Sequence, residues 1–235
     1  MKLGVVVFPG SNCERDMADA VSLYLKKSIR YLWHDQTDLQ GVDAVLLPGG
    51  FSYGDYLRSG ALARFSPIMG SIREFASKGG PVLGVCNGFQ VLTEARLLPG
   101  ALIRNVSRQF QCGQVKLTVE NNRSAFSSAY LLGQSIQLPI AHADGNYVAD
   151  SDVIQRLENN GQVVFRYAEE INGSMNRIAG ICNEKGNVVG MMPHPERNLW
   201  PDNQLKSGIS GNWTGEGQGV FDSLLHHLET MAAAI

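Results

Sequence analysis

The chain has 235 residues, 44% of them hydrophobic, and this length allows one domain, residues 1–235, with a sizeable buried core. The formal net charge of −2 gives no reason to expect nucleic acid or an anionic membrane as a partner. No apolar run is long enough to span a membrane, and the first residues read as a strand rather than a signal peptide. The four cysteines show no paired spacing, and four free thiols suit a reducing cytoplasm, which is the expected location.

The first half of the chain alternates predicted strands and helices. Strands are predicted over residues 3–8, 29–33 and 44–47. Ser11 and Glu14 match a capping box that opens a helix ending near residue 27. A second helix is predicted over residues 61–78, with a bend or restart near Pro67. This alternation predicts an α/β fold with a mostly parallel central sheet and helices on both faces.

The second half has shorter predicted strands separated by turns. These additional strands are predicted over residues 114–119, 136–141, 163–168, 178–182 and 188–192. A glycine-rich loop follows over residues 208–219, and a closing helix over residues 220–234. The loop lacks the lysine of the phosphate-binding loop in nucleotide-binding enzymes, so no nucleotide site is expected in this chain.

The residues around Cys86 predict a nucleophile elbow. A short apolar run over residues 81–85 ends at Cys86, which is flanked by Gly84 and Gly88, and a predicted helix follows. A strand, a sharp turn and a helix in the form Gly-x-Cys-x-Gly is an arrangement that presents a nucleophile. The free N–H groups of the helix N-terminus favour a thiolate there. For this segment alone, a buried core cysteine at a strand end is the alternative.

A second apolar run, over residues 188–192, leads into the sequence His194-Pro-Glu196. Because a residue before proline is pushed into the extended region, we expect His194 and Glu196 to lie on one face of an extended chain. The carboxylate can then hold one imidazole nitrogen and orient the other. Cysteine, histidine and glutamate in these roles form a catalytic triad, whereas a surface turn is the alternative for the tripeptide alone.

Attack of a thiolate on an amide carbonyl creates an oxyanion that needs backbone N–H donors. One predicted donor is the amide of Asn87, the residue after the nucleophile. The other is predicted in the Gly50–Phe51 backbone, where a strand runs into a Pro-Gly-Gly turn. Pro-Gly-Gly by itself indicates no more than a turn.

Three further residues are weaker candidates for the substrate site. Gln90 lies one helical turn past the elbow and could reach the substrate amide, or it could be an ordinary helix-face glutamine. Arg108 could pair with a substrate carboxylate through two hydrogen bonds, or it could be a solvated loop residue. His142 could shape the site or an exit route for a product, or it could be a structural histidine. No metal ligands are predicted, and for Cys13, Cys112 and Cys182 a structural role is expected.

With these motifs in this order, the chain resembles the class I, triad-type glutamine amidotransferases. Within them it resembles the glutaminase subunit of phosphoribosylformylglycinamidine synthase, and the likeness covers nearly the whole chain. The most specific segments are Phe51-Ser-Tyr-Gly-Asp55 in the run from Pro48 to Gly60, Val85 to Gln90, and Met191 to Arg197. One departure is His142-Ala-Asp144-Gly, where the family has His-Gly-Glu-Gly, and this leaves the role of Asp144 open.

The resemblance implies a flavodoxin-like fold and hydrolysis of glutamine to glutamate and ammonia. It also implies that the ammonia passes to a separate synthetase subunit, which makes phosphoribosylformylglycinamidine, and that a small third protein bridges the two. This chain would hold no cofactor, while ATP and Mg²⁺ would bind to the synthetase subunit. A glutaminase that serves another synthetase, a cysteine hydrolase of a different amide and a non-catalytic regulatory subunit remain as alternatives.

Overall fold

The computed structural model describes residues 1–200 and 215–233. The strands in these ranges are β1 (Lys2–Val7), β2 (Ser28–Trp33), β3 (Ala44–Leu47), β4 (Val82–Val85), β5 (Ala101–Ile103), β6 (Gln111–Val119), β7 (Ser135–His142), β8 (Asn146–Val148), β9 (Val163–Tyr167), β10 (Ile178–Cys182) and β11 (Val188–Met191). The α-helices are α1 (Glu14–Asp19), α2 (Ile68–Ser77), α3 (Asn87–Glu94), α4 (Ser151–Asn159) and α5 (Gln218–Ala233).

Nine of these strands form one central sheet in the order β2-β1-β3-β4-β11-β10-β9-β6-β7. The five strands from β2 to β11 pair in parallel. From β11 onward the neighbours pair antiparallel. The predicted α/β class with a large central sheet is confirmed, and the parallel half carries the predicted elbow at the end of β4.

The centre of the sheet is buried because its strands are apolar on both faces. Every residue of β3, β4 and β11 is buried, as expected for parallel strands covered by helices. Helix α3 is also buried from Asn87 to Thr93. Its Phe89 stacks on Tyr147 of β8, with ring centroids 6.0 Å apart. The elbow therefore lies on buried strands and a buried helix that pack against one another.

The predicted capping box at Ser11 was wrong. Helix α1 begins at Glu14 with Cys13 as its N-cap, and no side chain caps it. The hydroxyl of Ser11 instead accepts a hydrogen bond from the backbone N–H of Phe8 at 3.0 Å, and Ser11 bridges to Gly50. After α1 the chain makes a π-helical turn at Ala20–Tyr24.

The predicted helix over residues 61–78 is divided by Pro67, as expected. A short 3₁₀ helix at Ala63–Phe65 precedes α2, and Pro67 is the N-cap of α2. The short strands β5 and β8, which pair with each other, and helix α4 were not predicted from the sequence. Most of the predicted glycine-rich loop and Ala234 of the predicted closing helix lie outside the described residues. Within the described ranges, no helix is long and apolar enough to cross a membrane.

Candidate active site

Cys86 stands at the sharp turn between β4 and α3, as the elbow motif predicts. Its backbone angles, φ 51° and ψ −107°, are unfavourable for a residue with a side chain, so the turn must be held by its surroundings. The Cys86 N–H donates to the Met191 carbonyl at 2.8 Å, and the Cys86 carbonyl accepts from Gln90 N–H at 3.1 Å. Backbone hydrogen bonds to strand β11 and helix α3 thus hold the strained residue in place.

The two glycines of the motif allow three elements to meet at this turn. A Cβ on Gly84 would lie 2.6 Å from the Gly88 carbonyl oxygen, and a Cβ on Gly88 would collide with the Leu47 carbonyl oxygen. Side chains at these positions would force α3 away from β3 and β4. Gly-x-Cys-x-Gly is therefore a packing requirement of the elbow as well as a sequence motif.

His194 and Glu196 form a buried pair just beyond β11. Nδ1 of His194 lies 2.6 Å from Oε1 of Glu196, and the His194 N–H donates to the Pro139 carbonyl at 2.8 Å. The predicted contact is confirmed, but the predicted extended geometry holds only for His194. Pro195–Arg197 forms a short 3₁₀ helix, and that turn, rather than strand alternation, brings the carboxylate under the imidazole.

The imidazole of His194 also faces Cys86. Burial would lower the pKa of His194, but the Glu196 carboxylate and then the nearby Cys86 and Cys13 sulfurs outweigh burial and raise this pKa well above its ordinary value. Nε2 of His194 is buried and has no hydrogen-bond partner among the described residues. Nδ1 is held by Glu196, so Nε2 is the nitrogen left for exchange of a proton with a sulfur or a substrate.

Strand β7 closes the site from the antiparallel half of the sheet. The Cys86 thiol donates to the Ala141 carbonyl at 3.6 Å, a weak contact that a substrate could displace. His142, the next residue, is buried, and its Nδ1 lies 3.1 Å from Oδ1 of Asn105. Burial, and then the charge of His194, lower the pKa of His142 to about 4, so the ring is neutral near pH 7. A neutral, anchored ring beside the site fits the structural alternative for His142.

The predicted oxyanion donors differ in whether their backbone N–H groups are already hydrogen-bonded. Asn87 is the first residue of α3, where a backbone N–H has no acceptor within the helix. Among the described residues no hydrogen bond from the Gly50 N–H is present, and Gly50 has φ 137°, which favours glycine. The Phe51 N–H, however, donates to the Gly10 carbonyl at 3.1 Å. In this conformation the second donor can be Gly50, whereas Phe51 would first have to leave Gly10.

Gln90 is buried with both ends of its amide engaged by the protein. Its Nε2 donates to the Asp144 carbonyl at 2.7 Å, and its Oε1 accepts from Nδ2 of Asn87 at 2.9 Å. The Asn87 amide also approaches Oδ1 of Asp55 at 3.2 Å. The Asp144 carboxylate accepts from the Ser59 hydroxyl at 2.8 Å. These contacts connect the loops around the elbow, and in this conformation both ends of the Gln90 amide bind protein groups.

Arg108 is exposed on the turn after β5, and its side chain has no ion pair or hydrogen bond within the described part of the chain. Its positive φ of 57° and the bond from its N–H to the Asn105 carbonyl belong to the turn itself. The structure therefore agrees with the solvated alternative for Arg108 and adds no support for its role in substrate binding.

Cys13 was expected to have a structural role outside the site, but its sulfur lies beside His194. Cys13 is buried, and Nη2 of Arg197 donates to its Sγ at 3.2 Å. Nε of Arg197 is in turn held by Asp16 at 2.8 Å. Cys182 is buried in β10, as expected, while Cys112 is exposed on β6 and is no core residue. Only the position of Cys13 changes the description of the site, and no local motif could have revealed it.

Comparison with protein families and known proteins agrees with the function that the arrangement of Cys86, His194 and Glu196 suggests. The family of CobB/CobQ-like glutamine amidotransferase domains matches residues 1–227. The phosphoribosylformylglycinamidine synthase subunit PurQ of Novosphingobium aromaticivorans is 53% identical over 225 residues, covering 95% of this chain and 96% of that protein. PurQ of a Nostoc species is 59% identical over 198 residues, covering 84% and 88%.

Solved structures give the same result. A chain in the structure of PurLQS from Thermotoga maritima superposes with a TM-score of 0.84 at 43% identity, covering 97% of this chain and 98% of that one. A glutamine amidotransferase from the same organism, with a TM-score of 0.60 at 17% identity and 97% coverage of both chains, supports the fold alone. From the match over residues 1–227 and the high identity of its relatives, the chain belongs to the family of CobB/CobQ-like glutamine amidotransferase domains.

Proposed function

We propose that the chain hydrolyses glutamine to glutamate and ammonia, and that Cys86, His194 and Glu196 carry the reaction. The observation that supports this most strongly is the strained Cys86 elbow facing a buried imidazole whose other nitrogen is held by a carboxylate. A non-catalytic subunit of the same fold would have no need to keep all three groups together.

In the first half of the reaction the Cys86 thiol gives its proton to Nε2 of His194, and the resulting thiolate attacks the side-chain amide carbon of glutamine. A C–S bond forms, the carbonyl electrons move to oxygen, and the backbone N–H groups of Asn87 and Gly50 stabilise the oxyanion. His194, protonated at Nε2, then gives its proton to the amide nitrogen. The C–N bond breaks, ammonia leaves and a thioester remains.

In the second half water hydrolyses the thioester. His194, now neutral, takes a proton from the water as it attacks, and the same N–H groups hold the second oxyanion. The C–S bond breaks, glutamate leaves, and the sulfur and imidazole return to their starting state. Glu196 keeps the ring in one orientation and stabilises its charged form in both halves.

The ammonia is proposed to pass to a synthetase subunit that converts formylglycinamide ribonucleotide to phosphoribosylformylglycinamidine in purine synthesis. This is supported by the names of relatives at 53–59% identity and by the PurLQS structure. ATP and Mg²⁺ would bind to that synthetase, a small third protein would bridge the two, and the complex would work in the cytoplasm. Large apolar side chains at Phe51, Tyr56, Leu57 and Phe65 are exposed on segments near the elbow, as a partner surface would require.

The geometry also suggests how a partner could control the reaction. The Gly50–Phe51 segment is tied to Gly10 and Ser11, and the backbone N–H of Ser52 donates to Oδ1 of Asn87 at 3.1 Å. Movement of this exposed segment therefore changes the surroundings of both proposed oxyanion donors. A partner that binds one arrangement more tightly would shift the population toward it.

We expect the isolated chain to hydrolyse glutamine slowly and the assembled complex to hydrolyse it faster. A coupling free energy of about 1–3 kcal/mol corresponds to a rise of roughly 5- to 150-fold if the rate follows the active population. The measurement is the rate of glutamate formation by the chain alone and after addition of the synthetase subunit, the bridging protein and their nucleotide ligands. An unrelated protein at the same concentration is the control.

Full activity of the lone chain, unchanged by the partners, would contradict the proposal that a partner controls the reaction. It would favour a free-standing glutaminase. Glutamine hydrolysis without transfer of ammonia to the ribonucleotide would instead show that the chain serves another synthetase. The two outcomes are separated when glutamate and amidine are measured in the same reaction.

A further inference from the structure

Within the proposed glutaminase function, on which this inference rests, we propose that the side chain of Asn87 is a positioning residue that fixes the two oxyanion donors relative to each other. The backbone N–H of Asn87 is the first proposed donor. Its side chain holds the segment that carries the second, the Gly50 N–H. One residue thereby sets the distance between the two groups that bind the oxyanion.

The Asn87 amide bonds both to its own helix and to the loop in front of it. Asn87 is buried, and its Oδ1 accepts a hydrogen bond from the backbone N–H of Ser52 at 3.1 Å. Its Nδ2 donates to Oε1 of Gln90 at 2.9 Å and to Oδ1 of Asp55 at 3.2 Å. Because Ser52 lies two residues after Gly50, the Asn87 side chain holds the chain that presents the second donor.

The loop that Asn87 holds has a strained backbone. Tyr53, Asp55 and Leu57 have φ values of 54°, 54° and 71°, in the left-handed region that disfavours residues with side chains. Such a conformation persists only where surrounding contacts fix it. The Asn87 amide contributes two of these contacts, at Ser52 and at Asp55, so loss of the amide should loosen the loop.

The carboxylate of Asp55 orients the Asn87 amide. Burial raises the pKa of Asp55 to about 6, and the charge of Asp144 adds to this, while hydrogen bonds from Ser59 and Asn87 oppose it. Arg104 faces the same cluster, with its Nη1 4.0 Å from Oδ1 of Asp144. Above pH 6 the ionised Asp55 attracts the NH₂ end of the Asn87 amide, which leaves Oδ1 for the backbone N–H of the loop.

Asn87→Asp tests this role because it keeps the size of the side chain and Oδ1 but replaces the Nδ2 donor with an oxygen that faces Asp55. A negative charge at the N-terminus of α3 favours the helix, so folding should be retained. In the assembled complex we expect kcat for glutamine to fall by about 10- to 100-fold with a smaller change in KM, because the oxyanion forms only after attack. The loss relative to the wild type should shrink as the pH is lowered toward 6, since protonation of Asp55 relieves the repulsion.

Exchanging the two groups is the matched rescue. The double variant Asn87→Asp, Asp55→Asn has the same total charge as the wild type, and the amide at position 55 can donate to the carboxylate at position 87. It should recover kcat by about 10-fold over Asn87→Asp alone. A direct effect of the new charge on Cys86 would give no recovery, and that result would overturn the positioning role.

Amide hydrogen exchange of the whole chain, followed by peptide mass spectrometry, tests the same contacts without any activity. Asn87→Ala should raise exchange over residues 50–55. Asn187→Ala is the matched control, because Asn187 is also a buried asparagine but donates to the carbonyls of Ala76 and Gly80, and it should leave residues 50–55 unchanged.

Unchanged exchange in Asn87→Ala, or a wild-type kcat in folded Asn87→Asp, would overturn the positioning role while the wild type still hydrolyses glutamine. Absence of glutamine hydrolysis in the wild-type complex would instead refute the proposed function and this role with it. The wild-type rate therefore separates the two failures.

Discussion

Replacing Cys86 with alanine should abolish glutamine-dependent amidine formation while the assembled complex still uses added ammonia. The reason is that the proposed generation and use of ammonia occupy different subunits. Without the sulfur no thioester can form, and loss of a catalytic nucleophile typically lowers turnover by about 10⁴- to 10⁶-fold. The measurement is the rate of amidine formation with glutamine and, separately, with an ammonium salt.

Cys182→Ser is the matched control, because it also removes a buried thiol at the centre of the sheet but lies outside the site. This variant should keep both activities if it folds. A Cys86→Ala complex that used glutamine at nearly the wild-type rate would show that the nucleophile is another group. Loss of the ammonia-dependent rate as well would indicate that the substitution had damaged assembly of the complex.

His194→Ala should lower glutamine turnover almost as severely as loss of Cys86. The variant has no group at Nε2 to protonate the leaving ammonia or to take a proton from water. Glu196→Gln should cost less, roughly 10²- to 10⁴-fold, because the ring stays in place but loses the carboxylate that orients it and favours its charged form. Steady-state glutaminase assays of both variants across a range of pH measure these effects.

The pH profile separates a catalytic role for Glu196 from a purely structural one. The carboxylate is the strongest influence that raises the pKa of His194, so Glu196→Gln should move the histidine-dependent limb of the profile to lower pH. A variant that only loosened the fold would lose activity without this shift. Equal and near-normal rates for both variants would show that the His-Pro-Glu sequence has no catalytic role and is only a turn.

The sequence identified the elbow because its requirements are local. Glycines on both sides of Cys86, an apolar strand before it and a helix after it are all needed within a few residues, and the structure shows that added Cβ atoms at Gly84 and Gly88 would meet backbone. The pairing of His194 with Glu196 was also predicted. The backbone geometry behind this pairing was not predicted, because a 3₁₀ turn after the proline, and not an extended chain, places the Glu196 carboxylate beside the His194 ring.

Features that depend on distant segments could not be predicted. Cys13 reaches His194 through the packing of α1 against the turn after β11, and no spacing in the sequence records that contact. The Ala141 carbonyl contacts the Cys86 thiol although β7 is the edge strand of the antiparallel half and β4 lies in the parallel half, and no spacing in the sequence records that contact. Ser11 shows the opposite error, since a side chain that matched a capping box bonds to the preceding strand end instead.

The hydrogen bond of the Phe51 N–H is a further feature that could not be predicted from the sequence. A glycine before it indicated freedom of the backbone, but only the structure shows its N–H on the Gly10 carbonyl. The free-energy difference between this arrangement and one in which the Phe51 N–H is released from Gly10 limits how strongly a partner can act through this segment. The comparison of isolated and assembled rates measures that difference.

The most direct test of the central claim is covalent labelling by a glutamine analogue that carries a diazoketone in place of the amide. Two buried thiols, Cys13 and Cys86, lie beside His194, so the position of the adduct decides which of them is the nucleophile. Peptide mass spectrometry of the labelled chain should find the adduct on Cys86, with Cys13, Cys112 and Cys182 largely unmodified, and His194→Ala should slow the labelling. An adduct chiefly on Cys13, or labelling that persists in Cys86→Ala, would contradict the account.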